Sequence, residues 1–245
     1  MLFRSDGDSA SIGLGQFVHC VRRGVNMTYI TENNGVYGLT KGQFSATADR
    51  GSKSKAGGTN NDAPIDLVSM ALLAGATFVG RSFSGDKPQL VPLIKAALTH
   101  SGPAFIDVIS PCVAFNNHAG STKSFDFVRD HNDAVNRLDF FEGREEIVTD
   151  YAPGTVQDVE QHDGSIIRLH KIADNYDPTN RVQAMNYLQT HHEAGEVVTG
   201  LLYVDPNPRD MHSFLRTVDE PLNRLNTKEL CPGSKMLETI NDEYR

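Results

Sequence analysis

Two polar segments, each placed directly after a predicted strand, carry residue types that could form a metal and phosphate site. The first is SDGDSASIG, residues 5–13, and the second is ENNGVYGLTKGQ, residues 32–43. Asp6 in the first segment supplies a carboxylate, and Asn34 in the second supplies a neutral amide oxygen. Carboxylate and amide oxygens are ligands that bind hard divalent cations such as Mg²⁺.

The helix predicted after Asp6 adds a feature that binds anions. It begins near residues 9–12, so its unpaired N–H groups and the positive end of its dipole would face the same space as Asp6 and Asn34. Gly7 and Gly35 allow the backbone to approach a ligand closely. Phosphate oxygens would complete this partial cage, and the residues alone therefore predict a magnesium–diphosphate site. The alternative is that Asp6 and Asn34 are ordinary turn residues.

Alternating strand and helix patterns would position these residues. Strands are predicted at MLFRS, VNMTYITE, ATFVGRSF and PAFIDVISPC, and helices at SIGLGQFVHCVRRG, IDLVSMALLAG and KPQLVPLIKAALTHSG. This alternation predicts an α/β fold with a doubly wound, mostly parallel sheet, whose ligands bind beyond the carboxyl ends of the strands. A long polar loop is expected over residues 33–64, and a loop of such length is usually functional or disordered.

The pattern changes after about residue 120. We predict a β-hairpin that turns at residues 162–164, a helix that begins near Pro178, and a strand at EVVTGLLYVDP. The sequence is therefore interpreted as two parts: an α/β domain over residues 1–119 and an α+β C-terminal extension over residues 120–245.

Bulk composition excludes several classes of protein. The 245 residues carry a formal net charge of -8, which argues against a general nucleic-acid binder. No apolar run reaches the roughly 18 residues of a membrane span. The N-terminus lacks the apolar core of a signal peptide, so a cytoplasmic location is expected, without nucleic acid or membrane as a partner.

The cysteines and the paired histidines give no metal site by spacing alone. Cys20, Cys112 and Cys231 are too few and too widely spaced for a disulfide scaffold or a site made of cysteine alone. His191 and His192 are adjacent on a predicted helix, where neighbouring side chains point in different directions. We therefore predict no metal site from the two adjacent histidines.

A resemblance to a known family rests on the two polar segments and on later ones. DGD at residues 6–8, with NN at residues 33–34, resembles the thiamine-diphosphate-binding motif. The longer stretch DGDSASIGLGQFVHCVRRGVNMTYITENNGVYGLTKGQ, with GATFVGRSF and FIDVISPCVAFNN, resembles the beta subunit of 2-oxoacid:ferredoxin oxidoreductases. YGLTKGQ is most similar to the 2-oxoglutarate type. The resemblance covers residues 4–118 and implies that residues 1–119 form a partial thiamine diphosphate-binding domain.

The resemblance implies roles for individual residues. The magnesium ion would be bound by the side chains of Asp6 and Asn34 and by the backbone carbonyl of Val36. The diphosphate of the cofactor would be contacted by Gly7, Asp8, Gly38 and Leu39. Lys41 lies in the loop that faces substrate in the family, where it could pair with the distal carboxylate of a dicarboxylic 2-oxoacid. A solvated loop lysine is the alternative for Lys41.

The family also carries an iron–sulfur cluster that we do not expect in this chain. Cys112 in SPC matches the fourth cysteine ligand of the family's [4Fe–4S] cluster. The chain lacks the family's earlier region, which holds a CxxC pair, another cysteine and a histidine that contacts the cofactor. A cluster needs about four thiolates, so we predict none here and interpret the sequence as N-terminally truncated.

The implied activity is thiamine-diphosphate-dependent oxidative decarboxylation of a 2-oxoacid, with 2-oxoglutarate as the favoured substrate. Coenzyme A would accept the acyl group and ferredoxin the electrons, and the chain would act with an alpha subunit. Two alternatives stay open. One is a truncated, non-catalytic fragment that only docks on an alpha subunit, and the other is another thiamine-diphosphate-dependent decarboxylase.

Overall fold

The computed structural model describes residues 1–40, 42–52, 58–110, 147–160, 166–231 and 233–244. Lys41, Cys112, the predicted domain boundary near residue 119 and the predicted hairpin turn at residues 162–164 lie outside these ranges. Within them, no helix is both long enough and apolar enough to cross a membrane.

A seven-stranded sheet organises the described part of the chain. Its strands are β1 Leu2–Ser5, β2 Met27–Asn33, β5 Phe78–Phe83, β6 Pro103–Ile109, β7 Val156–Glu160, β8 Ile166–Lys171 and β9 Val197–Val204. Their order across the sheet is β1-β2-β6-β5-β9-β8-β7. A separate antiparallel ribbon pairs β3 Val36–Tyr37 with β4 Gln43–Phe44.

Within the seven-stranded sheet, the strands from the first half of the chain are parallel, whereas the later strands run in mixed directions. β1, β2, β6 and β5 pair in parallel, as the alternation of strands and helices predicts. β9 then joins β5 in the antiparallel direction, β8 runs parallel to β9, and β7 is antiparallel to β8. The predicted α/β fold with a mostly parallel sheet is confirmed. The later strands extend this same sheet.

Helices cover both faces of the sheet. The longer ones are α1 Leu14–Arg22, α2 Leu67–Ala74, α3 Lys87–Thr99 and α4 Arg181–Glu193, and a π-helical segment, Gly7–Ile12, precedes α1. Residues of α1, α2 and α4 share one core cluster with Tyr29 and Phe105, whereas residues of α3 pack with Ile30 and Ile106. Successive side chains of a strand point to opposite faces, so β2 and β6 contribute to both clusters.

Side-chain caps mark the starts of α2, α3 and α4. Asp66 accepts hydrogen bonds from the first backbone N–H groups of α2, and Gly75 ends that helix with φ +97°. Asp86 and Asn180 cap α3 and α4 in the same manner. These capping residues directly precede the apolar runs from which the helices were predicted. The starts of these three helices are therefore marked by residues next to them in the sequence.

The chain divides into two compact units, Met1–Met211 and His212–Arg245. The first unit holds all the strands that the structure describes. The remaining helical segments are α5 Met211–Leu215, a 3₁₀ turn Leu222–Arg224, α6 Thr227–Leu230 and α7 Ser234–Glu243. None of the described residues in these four segments is buried, in keeping with the polar composition of the C-terminus.

A network of ion pairs joins β5, β6 and the start of α2. Nε of Arg81 on β5 lies 2.8 Å from Oδ2 of Asp107, its register partner on β6, and Nη2 of Arg81 bonds to Asp66. Asp107 is fully buried, and burial raises the pKa of its carboxyl group, whereas the charge of Arg81 acts in the opposite direction. Arg81 is the cation that allows two carboxylates to lie at this position.

We expect Arg81→Met to lower the free energy of unfolding by about 3–5 kcal/mol, because it leaves buried carboxylate without its cation. Arg168→Met is the matched control. Arg168 also makes two hydrogen bonds to a carboxylate, that of Asp158, but this pair lies on the surface, so little change is expected. Urea unfolding followed by circular dichroism measures both variants. Equal losses would contradict a special role for the buried network.

Candidate functional site

Asp6 and Asn34 leave the sheet at the same edge. β1 and β2 are parallel neighbours, and Ser5 at the end of β1 pairs with Glu32 near the end of β2. Asp6 is the first residue after β1, and Asn34 is the first residue after β2. The carboxyl ends of parallel strands are the usual position of ligand sites in α/β proteins.

The carboxylate of Asp6 is fully buried and accepts several hydrogen bonds. Its Oδ1 accepts from the backbone N–H of Asn34 at 3.4 Å, and its Oδ2 accepts from the backbone N–H of Gly35 at 3.1 Å. Oδ2 also accepts from Oγ1 of Thr47 at 2.6 Å and from the hydroxyl of Ser45. These donors are all uncharged, and no ion pair joins Asp6 to another residue that the structure describes.

The lack of a described countercharge makes Asp6 suitable as a metal ligand. An ionised carboxylate is costly to bury unless a cation compensates it. Oδ1 of Asp6 accepts one long bond from the described residues, and a carboxylate oxygen can accept two, so an acceptor position remains. Mg²⁺ is commonly bound by one or two carboxylates together with phosphate oxygens. The chemistry of Asp6 therefore fits a magnesium–diphosphate group.

Asn34 organises the turn that follows β2. Its side-chain Oδ1 accepts a hydrogen bond from the backbone N–H of Val36 at 3.0 Å, which is the pattern of an Asx turn. Gly35 between them has φ +72°, a left-handed conformation that favours glycine. The amide oxygen of Asn34 has a second lone pair, so it too keeps an acceptor position. The turn leads directly into β3, where Val36 pairs with Phe44.

The π-helical segment Gly7–Ile12 places Gly7 against the β3–β4 ribbon. A Cβ atom at Gly7 would lie 2.6 Å from the ring of Tyr37, and the hydroxyl of Tyr37 donates to the carbonyl of Gly7 at 3.1 Å. Glycine at this position therefore permits a close contact with Tyr37. The side chain of Asp6 makes no capping bond to this segment.

The other predicted phosphate contacts are less enclosed. Asp8 pairs with Arg4, with Oδ2 and Nε 3.2 Å apart, and both side chains are partly exposed. Gly38 and Leu39 lie in the turn after β3, where Leu39 is 100% exposed. The structure thus brings Asp6, Asn34 and Gly7 into one region, whereas Asp8 and Leu39 lie nearer solvent. The cofactor roles of all these residues stay predictions.

A buried cluster of hydroxyl groups fixes the π-helical segment on β2. Oγ of Ser9 donates to the carbonyl of Ser5 at 2.9 Å, lies 3.0 Å from the hydroxyl of Tyr29, and accepts from Thr31 at 3.3 Å. Burial raises the pKa of Tyr29, which favours its neutral form. The cluster holds the chain on either side of Asp6 against the neighbouring strand.

Sequence analysis missed Ser45 and Thr47, the two hydroxyl donors to Asp6. They lie 39 and 41 positions after Asp6, just beyond β4, in the segment expected to be a long polar loop. The available signal was their spacing, because side chains two positions apart on an extended backbone point in the same direction. That spacing alone does not say which group they face.

Comparison with known protein families identifies the first part of the chain. Residues 1–108 match the family described as thiamine pyrophosphate enzyme, C-terminal TPP binding domain. This range includes the predicted magnesium ligands Asp6, Asn34 and Val36, and it also includes Ser45 and Thr47.

Curated relatives match between about half and 70% of the chain. The chain is 45% identical over 113 residues to the 2-oxoacid:ferredoxin oxidoreductase subunit beta of Saccharolobus solfataricus, covering 46% of this chain and 37% of that protein. It is 41% identical over 125 residues to the 2-oxoglutarate oxidoreductase subunit KorB of Mycobacterium tuberculosis, covering 51% of this chain and 32% of that protein. It is 34% identical over 179 residues to the 2-oxoglutarate synthase subunit KorB of Methanocaldococcus jannaschii, covering 70% of this chain and 65% of that protein. The chain thus spans between about a third and two thirds of these relatives' lengths.

A solved structure shares the architecture over nearly the whole chain. It is a 2-oxoglutarate:ferredoxin oxidoreductase from Magnetococcus marinus with 2-oxoglutarate, coenzyme A and succinyl-CoA bound. The TM-score is 0.64 at 26% identity, and the match covers 96% of this chain and 65% of that chain. The resemblance to 2-oxoacid:ferredoxin oxidoreductase beta subunits is therefore confirmed, together with the thiamine diphosphate-binding fold.

We expect Gly7→Ala to destabilise the protein by about 1–3 kcal/mol, because the new methyl group would overlap the ring of Tyr37. In the double variant Gly7→Ala/Tyr37→Ala the loss should be smaller than the sum of the two single losses, since the collision is absent. Denaturant unfolding of the four proteins gives the coupling free energy.

Gly15→Ala is the control for this experiment. No atom lies within 4 Å of the Cβ position at Gly15, which is also exposed and lies in α1. Alanine is favoured over glycine in a helix by about 1 kcal/mol, so this variant should be neutral or more stable. Additive effects of Gly7→Ala and Tyr37→Ala would show that the two side chains do not meet.

Proposed function

From its similarity to 2-oxoacid:ferredoxin oxidoreductase beta subunits, we propose that the chain is the thiamine-diphosphate-binding beta subunit of such an enzyme. The proposed reaction is oxidative decarboxylation of a 2-oxoacid, with 2-oxoglutarate as the favoured substrate. The observation that carries the proposal is the buried Asp6 carboxylate, which lies beside Asn34 at the sheet edge without a cationic partner among the described residues. Named relatives of the 2-oxoglutarate type support the choice of substrate.

In this proposal Asp6 and Asn34 bind magnesium through side-chain oxygens, and Val36 binds it through its backbone carbonyl. Gly7, Asp8, Gly38 and Leu39 contact the diphosphate. The π-helical segment begins beside Asp6, and backbone N–H groups at the start of a helix favour phosphate. The turn from Asn34 to Val36 is held by its own Asx bond, which positions the amide oxygen of Asn34.

When bound, thiamine diphosphate supplies the electron sink that decarboxylation of a 2-oxoacid requires. The residues of this chain bind and orient the cofactor through the ion and the diphosphate. Asp6 contributes negative charge at a position from which water is excluded, where its interaction with a cation is strongest.

The partners of the complete enzyme are also part of the proposal. An alpha subunit would complete the active site, coenzyme A would accept the acyl group, and ferredoxin would accept the electrons. The Magnetococcus marinus neighbour supports the coenzyme A assignment, because its structure contains coenzyme A and succinyl-CoA. Two statements stay predictions: Cys112 is a cluster ligand in full-length relatives, and this chain holds no [4Fe–4S] cluster.

Titration of thiamine diphosphate into the purified chain, with and without Mg²⁺, tests the proposal. We expect magnesium-dependent binding that falls at least about tenfold in Asp6→Asn, because even groups that merely orient metal ligands contribute about 10–100-fold. Asparagine keeps the size of the side chain and removes its charge. Circular dichroism would verify that the variant is folded.

Asp62→Asn serves as the matched control, because Asp62 is an exposed aspartate of the same N-terminal half. It should bind the cofactor as the wild type does. No binding by the wild type would contradict the cofactor proposal and favour the docking fragment. Binding that Asp6→Asn retains in full would place the metal elsewhere.

Lys41 is proposed to select a dicarboxylic substrate. In a complex reconstituted with an alpha subunit, Lys41→Ala should raise the KM for 2-oxoglutarate far more than the KM for pyruvate, because only 2-oxoglutarate has a distal carboxylate. Steady-state kinetics with both substrates measures the difference. Equal changes for the two substrates would instead assign the lysine to the cofactor or the loop.

A further inference from the structure

A second cluster of potential metal ligands lies in the later part of the sheet. It consists of His170 on β8, His191 in the last turn of α4, and Glu196 just before β9. Oε2 of Glu196 lies 3.1 Å from Nδ1 of His170 and 2.6 Å from Nδ1 of His191. The side chains are 12%, 18% and 18% exposed for His170, His191 and Glu196, so all three are largely enclosed.

The backbone fixes two of the three residues relative to each other. α4 ends with Gly195 in a left-handed conformation, φ +73°, and the N–H of Glu196 donates to the carbonyl of His191 at 2.8 Å. This turn directs the chain back, so that Glu196 lies beside His191 as β9 begins. β9 pairs in parallel with β8, where His170 is the register partner of Val198.

Tyr187 orients the third residue, His170. The hydroxyl of Tyr187 lies 2.9 Å from Nε2 of His170, and the rings of His170 and His191 are 4.0 Å apart. Nδ1 of His170 is thereby directed toward Glu196 and His191, yet it is buried and makes no geometrically acceptable hydrogen bond among the described residues. In metal sites, a ligating histidine almost always bonds through its other nitrogen to an oxygen group. Tyr187 occupies that second position here.

The charge states of the cluster suit a metal ion. Burial and the neighbouring His191 lower the pKa of His170, which favours the neutral imidazole that binds metals. A hydrogen bond from His191 lowers the pKa of Glu196, which favours the carboxylate. Arg168, which also interacts with Glu196 electrostatically, makes two hydrogen bonds to Asp158 at 2.8 and 3.1 Å. The carboxylate of Glu196 lies 3.1 and 2.6 Å from ring nitrogens of His170 and His191.

We propose that His170, His191 and Glu196 bind a divalent transition-metal ion, with Zn²⁺ as the representative species. Two imidazole nitrogens and one carboxylate oxygen form a ligand set known for zinc, with a fourth position left for water. The candidate ligand atoms lie within 4.8 Å of one another. Ligand atoms around zinc are about 3.3–3.6 Å apart, given bonds of about 2.0–2.2 Å. The carboxylate of Glu196 now lies closer than this to both histidine nitrogens, at 3.1 and 2.6 Å, so it would move away from them to admit the ion.

Binding also requires a movement of one proton and a route for the ion. Nδ1 of His191 now donates to Glu196, so its proton must pass to Nε2, the other tautomer of the neutral ring. A shallow surface pocket lined in part by Tyr187, Thr190 and His191 borders one of the three ligands, His191. The bound ion would join β8, α4 and β9, and would act separately from the thiamine diphosphate site.

Titration calorimetry of Zn²⁺ into the chelator-treated full chain, without thiamine diphosphate, tests the site. We expect one site that weakens at least about tenfold in His191→Ala and in Glu196→Gln. His192→Ala is the matched control, since His192 is the adjacent exposed histidine on the same helix and should leave the affinity unchanged. Tyr187→Phe removes one hydroxyl and should lower the affinity for Zn²⁺ about 10–100-fold. This milder variant tests the site even if a ligand variant fails to fold.

Cobalt substitution identifies the ligand type. Co²⁺ bound by nitrogen and oxygen gives visible d–d bands without the thiolate charge-transfer band that cysteine ligands produce. An absence of Zn²⁺ binding by the wild type would overturn the proposal. Unchanged affinity in both ligand variants, an equal loss in His192→Ala, or a thiolate band would also overturn it, because each would locate the ion at other residues.

Discussion

The carboxylate of Asp6 is buried where β1 ends, and distant parts of the chain are arranged to donate hydrogen bonds to it. The turn after β2 supplies the N–H groups of Asn34 and Gly35, and the segment after β4 supplies the hydroxyls of Ser45 and Thr47. Buried carboxylate oxygens must be satisfied, so these segments and the end of β1 depend on one another. The residue proposed to bind magnesium thus also organises the loops around it.

A second buried carboxylate shows why Asp6 differs. Asp107 on β6 is equally buried, but Arg81 compensates its charge, and Asn33 at the end of β2 contributes a further bond at 3.4 Å. All the described hydrogen-bond donors to Asp6 are uncharged. In the same sheet, one carboxylate is therefore paired with a cation, whereas the other has no cation beside it among the described residues.

The later part of the chain extends this sheet and carries its own polar cluster. β9 adds to β5 in the antiparallel direction, and β8 then follows β9 in parallel. Similarity to the Magnetococcus marinus structure covers 96% of the chain. The proposed zinc ligands lie where β8, α4 and β9 meet.

The sequence by itself determined the alternation of strands and helices, the parallel pairing in the first half, and the positions of Asp6 and Asn34 at strand ends. These features follow from local periodicity, caps and a short motif, which act over neighbouring residues. Only the tertiary structure decided that Ser45 and Thr47 face Asp6. It also decided that His191, and not the adjacent His192, lies beside His170 and Glu196. Such contacts join elements far apart in the chain, and they depend on strand order and register. Local periodicity carries no information on strand order, because the same pattern of apolar residues suits every position in a buried sheet.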